Sequence, residues 1–147
     1  MTDTTPTESN LSGLDRKDFQ KNINSRKTDL YILKNAQGME VAVTNYGCAI
    51  LSIMVPDKNG KFANVILGHD SIEHVINSPE PFLSTTIGRY GNRIANGKFT
   101  LYGEEHQLTV NNGPNSLHGG PTGFHARVWD AVQPNESTVI FNYTSAD

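Results

Sequence analysis

From Asp29 onward the chain alternates. Leu30 and Ile32 are interleaved with Tyr31 and Leu33, Asn35-Ala36-Gln37-Gly38 turns the chain, and Met39, Val41 and Val43 then share one face of a second run ending at Thr44. A period of two marks strands. Ala49 to Val55 is apolar almost without interruption, the pattern of a strand covered on both faces, and Pro56-Asp57-Lys58-Asn59-Gly60 ends it. Phe62 to Leu67 returns as a further strand. The one helix the pattern predicts spans Ser71 to Ile76: Asp70 and Glu73 have the spacing of a capping box, and Ser78-Pro79-Glu80-Pro81 stops it. Lys98 to Tyr102 and Glu105 to Val110 alternate again, joined at Gly103-Glu104, and a glycine at the first central position predicts a type II′ hairpin. Arg127 to Val132 and Thr138 to Thr144 form the last two strands, separated by Gln133-Pro134-Asn135-Glu136, with Val139, Phe141 and Tyr143 on one face and Ile140 and Asn142 on the other. Short strands at this spacing predict an all-β, antiparallel sandwich.

The first 20 residues lack a sustained apolar period, so a flexible leader is expected over 1–20 and the folded domain over 21–147. The chain stops at Ser145-Ala146-Asp147, directly after a strand, which would leave edge groups unpaired. The sandwich is therefore expected to be present only in part, as the N-terminal portion of a longer polypeptide.

Composition narrows the class of partner. Net charge is −3, and the lysines and arginines are scattered, so the basic stripe that nucleic acid needs is missing. No apolar run has transmembrane length, and Met1-Thr2-Asp3-Thr4-Thr5-Pro6 has neither region of a signal peptide. The expectation is a soluble, cytoplasmic protein with no membrane contact and no obligate protein partner. Cys48 is alone, in an apolar run, and reads as a buried structural thiol. The five histidines match no zinc spacing, Gly88-Arg89-Tyr90-Gly91 lacks the third glycine of a dinucleotide fingerprint, and no Gly-x-Ser-x-Gly elbow occurs. Neither a metal nor a cofactor is expected.

Candidate chemistry concentrates between Gly88 and Gly120. If the hairpin at Gly103 forms, Arg93 and His118 come to the same open end of two paired strands, gathering Asn92, Arg93, Asn115 and His118 into one polar cluster. Such a cluster suits a neutral ligand rich in hydroxyls. An arginine offers a planar fork of donors and an asparagine both donates and accepts, so the two can hold adjacent sugar hydroxyls; they could equally satisfy turn carbonyls and a surface carboxylate. His118, followed by Gly119-Gly120, is a loop histidine that a ligand can approach, and its ordinary pKa of about 6.5 suits proton exchange. Arg89 reads as structural, His106 as strand packing, His69 and His74 as surface or capping residues, and Trp129 as core. His125 could line the same cleft as His118, but packing is the expected role.

Three stretches, Val43-Thr44-Asn45-Tyr46-Gly47, Gly88 through Phe99, and Asn111 through Gly120, stand in an order and at intervals that resemble the aldose 1-epimerase (mutarotase) family. The resemblance implies a large antiparallel β-sandwich of galactose mutarotase-like type and interconversion of the α and β anomers of hexoses such as galactose and glucose, without a cofactor. It also implies that Asn92 and Arg93 bind substrate hydroxyls and that His118 contacts the substrate near its ring oxygen, as a catalytic and binding residue. Gly91 stands where many members have alanine. The family's general acid, a second histidine, and its general base, a glutamate, would lie beyond Asp147, and no motif places Glu104, Glu105 or Asp130 to replace them. The chain by itself is therefore expected to catalyse little. A rival expectation, from a different class, is a non-catalytic carbohydrate-binding β module that keeps the cluster alone.

Overall fold

The computed structural model describes residues 10–146. Two short paired strands, β1 (Asn22–Ile23) and β2 (Arg26–Lys27), lead into a four-stranded antiparallel meander of β3 (Leu30–Lys34), β4 (Glu40–Thr44), β5 (Ile50–Pro56) and β6 (Phe62–Asn64). The turns explain the order. The Asn35 side chain accepts from the backbone N–H groups of Gln37 and Met39 (3.0 and 2.9 Å), and Asp57 does the same for Asn59 and Lys61 (2.8 and 2.9 Å), the Asx geometry that lets a short polar side chain close a tight link. Leu30, Ala42, Ala49 and Leu51 form the core with Phe19 and with Ile72 and Val75 of helix α1 (Ile72–Ile76). Ser71 is the N-cap of α1 and accepts from the N–H of His74, whereas Asp70 pairs with the His74 ring.

Four expectations shift. The leader expected over 1–20 lies outside the described residues as far as residue 9, but residues 10–20 are folded: a 3-10 turn at Arg16–Phe19 buries Phe19 completely, and the backbone N–H groups of Leu11 and Ser12 donate to the two carboxylate oxygens of Glu40 (2.9 and 3.1 Å). β5 is deeply buried only at Leu51 and Ser52, and its outer half is partly open. The hairpin of β7 (Arg93–Ile94) onward is more broken than the alternation implied. β8 (Lys98–Leu101) and β9 (Glu104–Gln107) pair with Leu101 opposite Glu104, so the link is Tyr102-Gly103 rather than Gly103-Glu104. Both link residues have positive φ (52° and 86°), as in a type I′ turn, whose twist matches that of the strands. After β10 (Ser116–Leu117), the closing hairpin of β11 (Asp130–Asn135) and β12 (Thr138–Asn142) runs straight through Pro134, because the register slips between Val132 and Asn135 and the missing proline N–H falls at that irregularity. Every strand pairing among the described residues is antiparallel, in keeping with the all-β class.

Candidate functional site

β7 and β10 lie 21 residues apart in the chain and pair directly, with Arg93 opposite Leu117 and Ile94 opposite Ser116. The pairing extends one residue further in an unusual way. The N–H of His118 donates to the carbonyl of Asn92 (3.0 Å), and the N–H of Asn92 donates back to Nδ1 of the His118 ring (2.9 Å). Both residues have positive φ, 62° at Asn92 and 53° at His118, a region that non-glycine residues occupy at a cost and that clusters at functional sites. An Nδ1 that accepts a hydrogen bond leaves the proton of a neutral imidazole on Nε2. His118 is thus set up as a donor through Nε2.

The guanidinium of Arg93 donates through Nε to Oδ1 of Asn112 (2.8 Å) and through a terminal nitrogen to Oδ1 of Asn92 (3.3 Å). Two asparagine carbonyls thereby orient the fork. Asn112 was not singled out from the sequence, although it lies inside a quoted motif; Asn115 takes a different part, its Oδ1 accepting from the N–H of Asn96 (3.3 Å) and holding the turn after β7. Asn111 closes the base of the site by bonding both backbone groups of Leu117 (2.7 and 3.1 Å). The structure therefore brings Asn92, Arg93, Asn112 and His118 together, but through the short β7–β10 ladder rather than through an unbroken hairpin.

Phe82 packs edge-to-face against His118 (centroids 4.9 Å apart) and against His125 (4.5 Å). Nothing in the local pattern around Phe82 signals this, because both contacts are tertiary. His125 is buried and its Nδ1 has no hydrogen-bond partner among the described residues. Burial first, then the neighbouring His118 and Arg127, push its pKa below the ordinary histidine value. A histidine with a lowered folded-state pKa contributes stability above its unfolded pKa of about 6.5 and loses it as pH falls towards the folded value. The urea midpoint of the protein is expected to fall on going from pH 8 to pH 5, and His125→Phe is expected to flatten that fall; an unchanged slope in the variant would assign the pH dependence to other groups.

The remaining residues lie outside the cluster, and Trp129 and Cys48, expected to be buried, are only partly so. Arg89 donates to the Ser145 hydroxyl (2.9 Å) and to the Ala146 carbonyl, tying down the chain after β12. His106 stacks on Phe99 across the β8–β9 hairpin (5.0 Å). Trp129 donates through its indole to the Phe124 carbonyl (3.2 Å) and packs on Phe124 and Tyr143. Burial pushes the Cys48 thiol up to about 12, which suits a packing residue. Glu105 pairs with Lys98 and Asp130 with Arg26. A cavity of about 530 Å³ does not contain Asn92, Arg93 or His118; Ile94, Phe99, Leu108, Phe124 and Tyr143 line it together with Arg89 and Arg127. Its walls are mostly apolar, whereas Asn92, Arg93, Asn112 and His118 offer several hydrogen-bonding groups within one cluster, the chemistry a hydroxyl-rich ligand needs.

Residues 29–147 match the family model described as Aldose 1-epimerase. The galactose mutarotase of Bos taurus is 43% identical over 91 residues, which cover 62% of this chain and 26% of that protein. The aldose 1-epimerase of Escherichia coli K12 is 40% identical over 118 residues, covering 80% of this chain and 34% of that one. Among solved structures, the GalM/aldose epimerase homologue from C. elegans superposes with a TM-score of 0.73 at 33% identity, covering 78% of this chain and 35% of its own. The chain spans roughly a quarter to a third of the length of the curated relatives it matches.

Proposed function

The chain belongs to the aldose 1-epimerase family, and we propose that it carries the sugar-orienting part of a mutarotase site. Asn92 and Arg93 hold adjacent hydroxyls of a hexose such as galactose or glucose, and His118 donates through Nε2 towards an oxygen at or near the ring. The observation that carries this reading is the bond from the Asn92 N–H to His118 Nδ1, which assigns the imidazole its donor role before any ligand arrives.

Interconverting the anomers requires a base to take the proton of the anomeric hydroxyl and an acid to protonate the ring oxygen. The ring then opens to the aldehyde, rotates about the bond between the first two carbons, and recloses. Each proton-transfer partner typically contributes roughly a hundred- to ten-thousand-fold. Of the carboxylates that follow the cluster's first strand, Glu105 is paired with Lys98 and Asp130 with Arg26. The chain alone is therefore expected to bind sugar weakly and to leave the optical-rotation change of fresh α-D-galactose at its spontaneous rate.

The binding half of this reading is tested by titrating the protein with galactose while following the side-chain ¹⁵N signals of Arg93 and His118. Both are expected to move, and Arg93→Ala is expected to weaken binding about tenfold or more, the loss of one charge-assisted hydrogen bond. Signals that ignore galactose would overturn it. The engagement of those carboxylates away from the cluster also favours a second reading, a carbohydrate-binding module without catalysis. The coding sequence beyond codon 147 separates the two, since a continuation carrying a histidine and a later glutamate favours the enzyme.

A further inference from the structure

The imidazole of His118 is held by more than its bond to Asn92. Phe82 meets it at an interplanar angle of 63° and meets His125 at 60°. Both partners are anchored to the same place, the turn between β4 and β5. On the Phe82 side, the N–H of Thr86 donates to the Gly47 carbonyl (2.8 Å) and the N–H of Ile50 to the Ser84 carbonyl (2.9 Å). On the His125 side, the N–H of Gly47 donates to the Arg127 carbonyl (2.7 Å), and a Cβ added to Gly47 would lie 2.3 Å from the His125 carbonyl oxygen. The main sheet thus anchors the segments that carry Phe82 and His125; the two rings touch each other, and Phe82 touches His118. His125 is only 5% exposed, with its Nδ1 unpartnered. Keeping a buried polar atom without a partner is costly, so a residue needed only to fill space would be better served by an aliphatic side chain.

We propose that Phe82 and His125 are positioning residues for His118: two rings anchored to the 45–50 turn set the rotation of the His118 imidazole, so that Nδ1 meets the Asn92 N–H and the Nε2 proton is presented to the ligand. The inference rests on the ligand-donor role proposed for His118. Aromatic edge-to-face contacts are directional, whereas aliphatic contacts fill volume without fixing an angle. Leucine at either position would preserve packing and release the ring; phenylalanine at 125 would preserve the ring contact.

The test is the ¹⁵N spectrum of the histidine side chains of the 147-residue protein at mildly alkaline pH, without sugar. The wild type is expected to show His118 as a single tautomer protonated at Nε2. In Phe82→Leu and His125→Leu the two His118 nitrogen signals are expected to shift towards each other as tautomers exchange, with His69, His74 and His106 unmoved, and His125→Phe is expected to restore the wild-type pattern. Leucine variants that leave His118 unchanged, or a phenylalanine variant that disturbs it as much as leucine does, overturn the proposal. Should a variant not fold, the wild type decides: nuclear Overhauser contacts from the Phe82 ring to both imidazoles together with one His118 tautomer sustain it, and the lack of either overturns it. Galactose added to the same samples reads the underlying role separately. A locked tautomer indifferent to galactose would refute the ligand contact and leave the positioning standing.

Discussion

Glu40→Ala is expected to lower the stability of the protein by about 3–5 kcal/mol, read as a fall in the urea midpoint with little change in slope. Glu40 is completely buried, and its two carboxylate oxygens are the acceptors for the N–H groups of Leu11 and Ser12. Lys34 stands 3.9 Å from one of those oxygens, at the limit of an ion pair, with its own side chain 39% exposed. Solvent screens that attraction, so the hydrogen bonds dominate. Alanine leaves two donors without acceptors or frees the segment that Leu14 pins against the core, and a small domain has only about 5–15 kcal/mol to lose. Glu40→Gln keeps the volume and one acceptor oxygen, so roughly half the loss is expected. Equal midpoints for Glu40→Ala and the wild type would show that residues 10–14 contribute nothing to the fold.

Glu40 also shows where sequence reading stopped. Met39, Val41 and Val43 share the apolar phase of the strand, yet the opposite phase, Glu40, Ala42 and Thr44, is completely buried, and Leu11 and Ser12 bond Glu40 from a segment that has no apolar period of its own. The meander was legible because its turns are local, Asn35 and Asp57 closing links only a few residues long. The conformation of the hairpin link was not, since nothing in Leu101-Tyr102-Gly103-Glu104 reveals that tyrosine rather than glycine takes the first central position. For the site, the sequence joined residue 93 to residue 118 through the reversal at Gly103, and the structure follows that route with an interruption. β8 and β9 end at Lys98 and Gln107, a 3-10 turn at Ala95–Gly97 intervenes, and the ladder resumes only at β7 and β10. Phe82 and Asn112 became visible only through contacts across the fold, which a periodicity cannot encode.

Gly119→Ala is expected to take apart the site and much of the stability around it, at a cost of about 2–5 kcal/mol. The residue has φ +85°, and a Cβ built there would lie 1.9 Å from the carbonyl oxygen of Gly88 and 2.6 Å from its carbonyl carbon. Those are backbone atoms, so no side-chain rotation relieves the overlap. The same Gly88 carbonyl accepts from the N–H of Phe124 (3.1 Å), so the 88–92 segment is held from both sides and has to move as a unit. Moving it separates the Asn92 N–H from His118 Nδ1, and the imidazole loses the bond that selects its tautomer. Gly113→Ala supplies the comparison: φ is +57° and no atom lies within 4 Å of the added carbon, so only the backbone strain of about 1 kcal/mol applies. Urea midpoints give the stabilities, and the ¹⁵N signals of His118 give the site. The expected result is a large loss and a disturbed imidazole at 119 against a small loss and an intact one at 113. Matching losses at the two glycines would mean that positive φ alone matters, and that the close approach of Gly119 to Gly88 does not build the cluster.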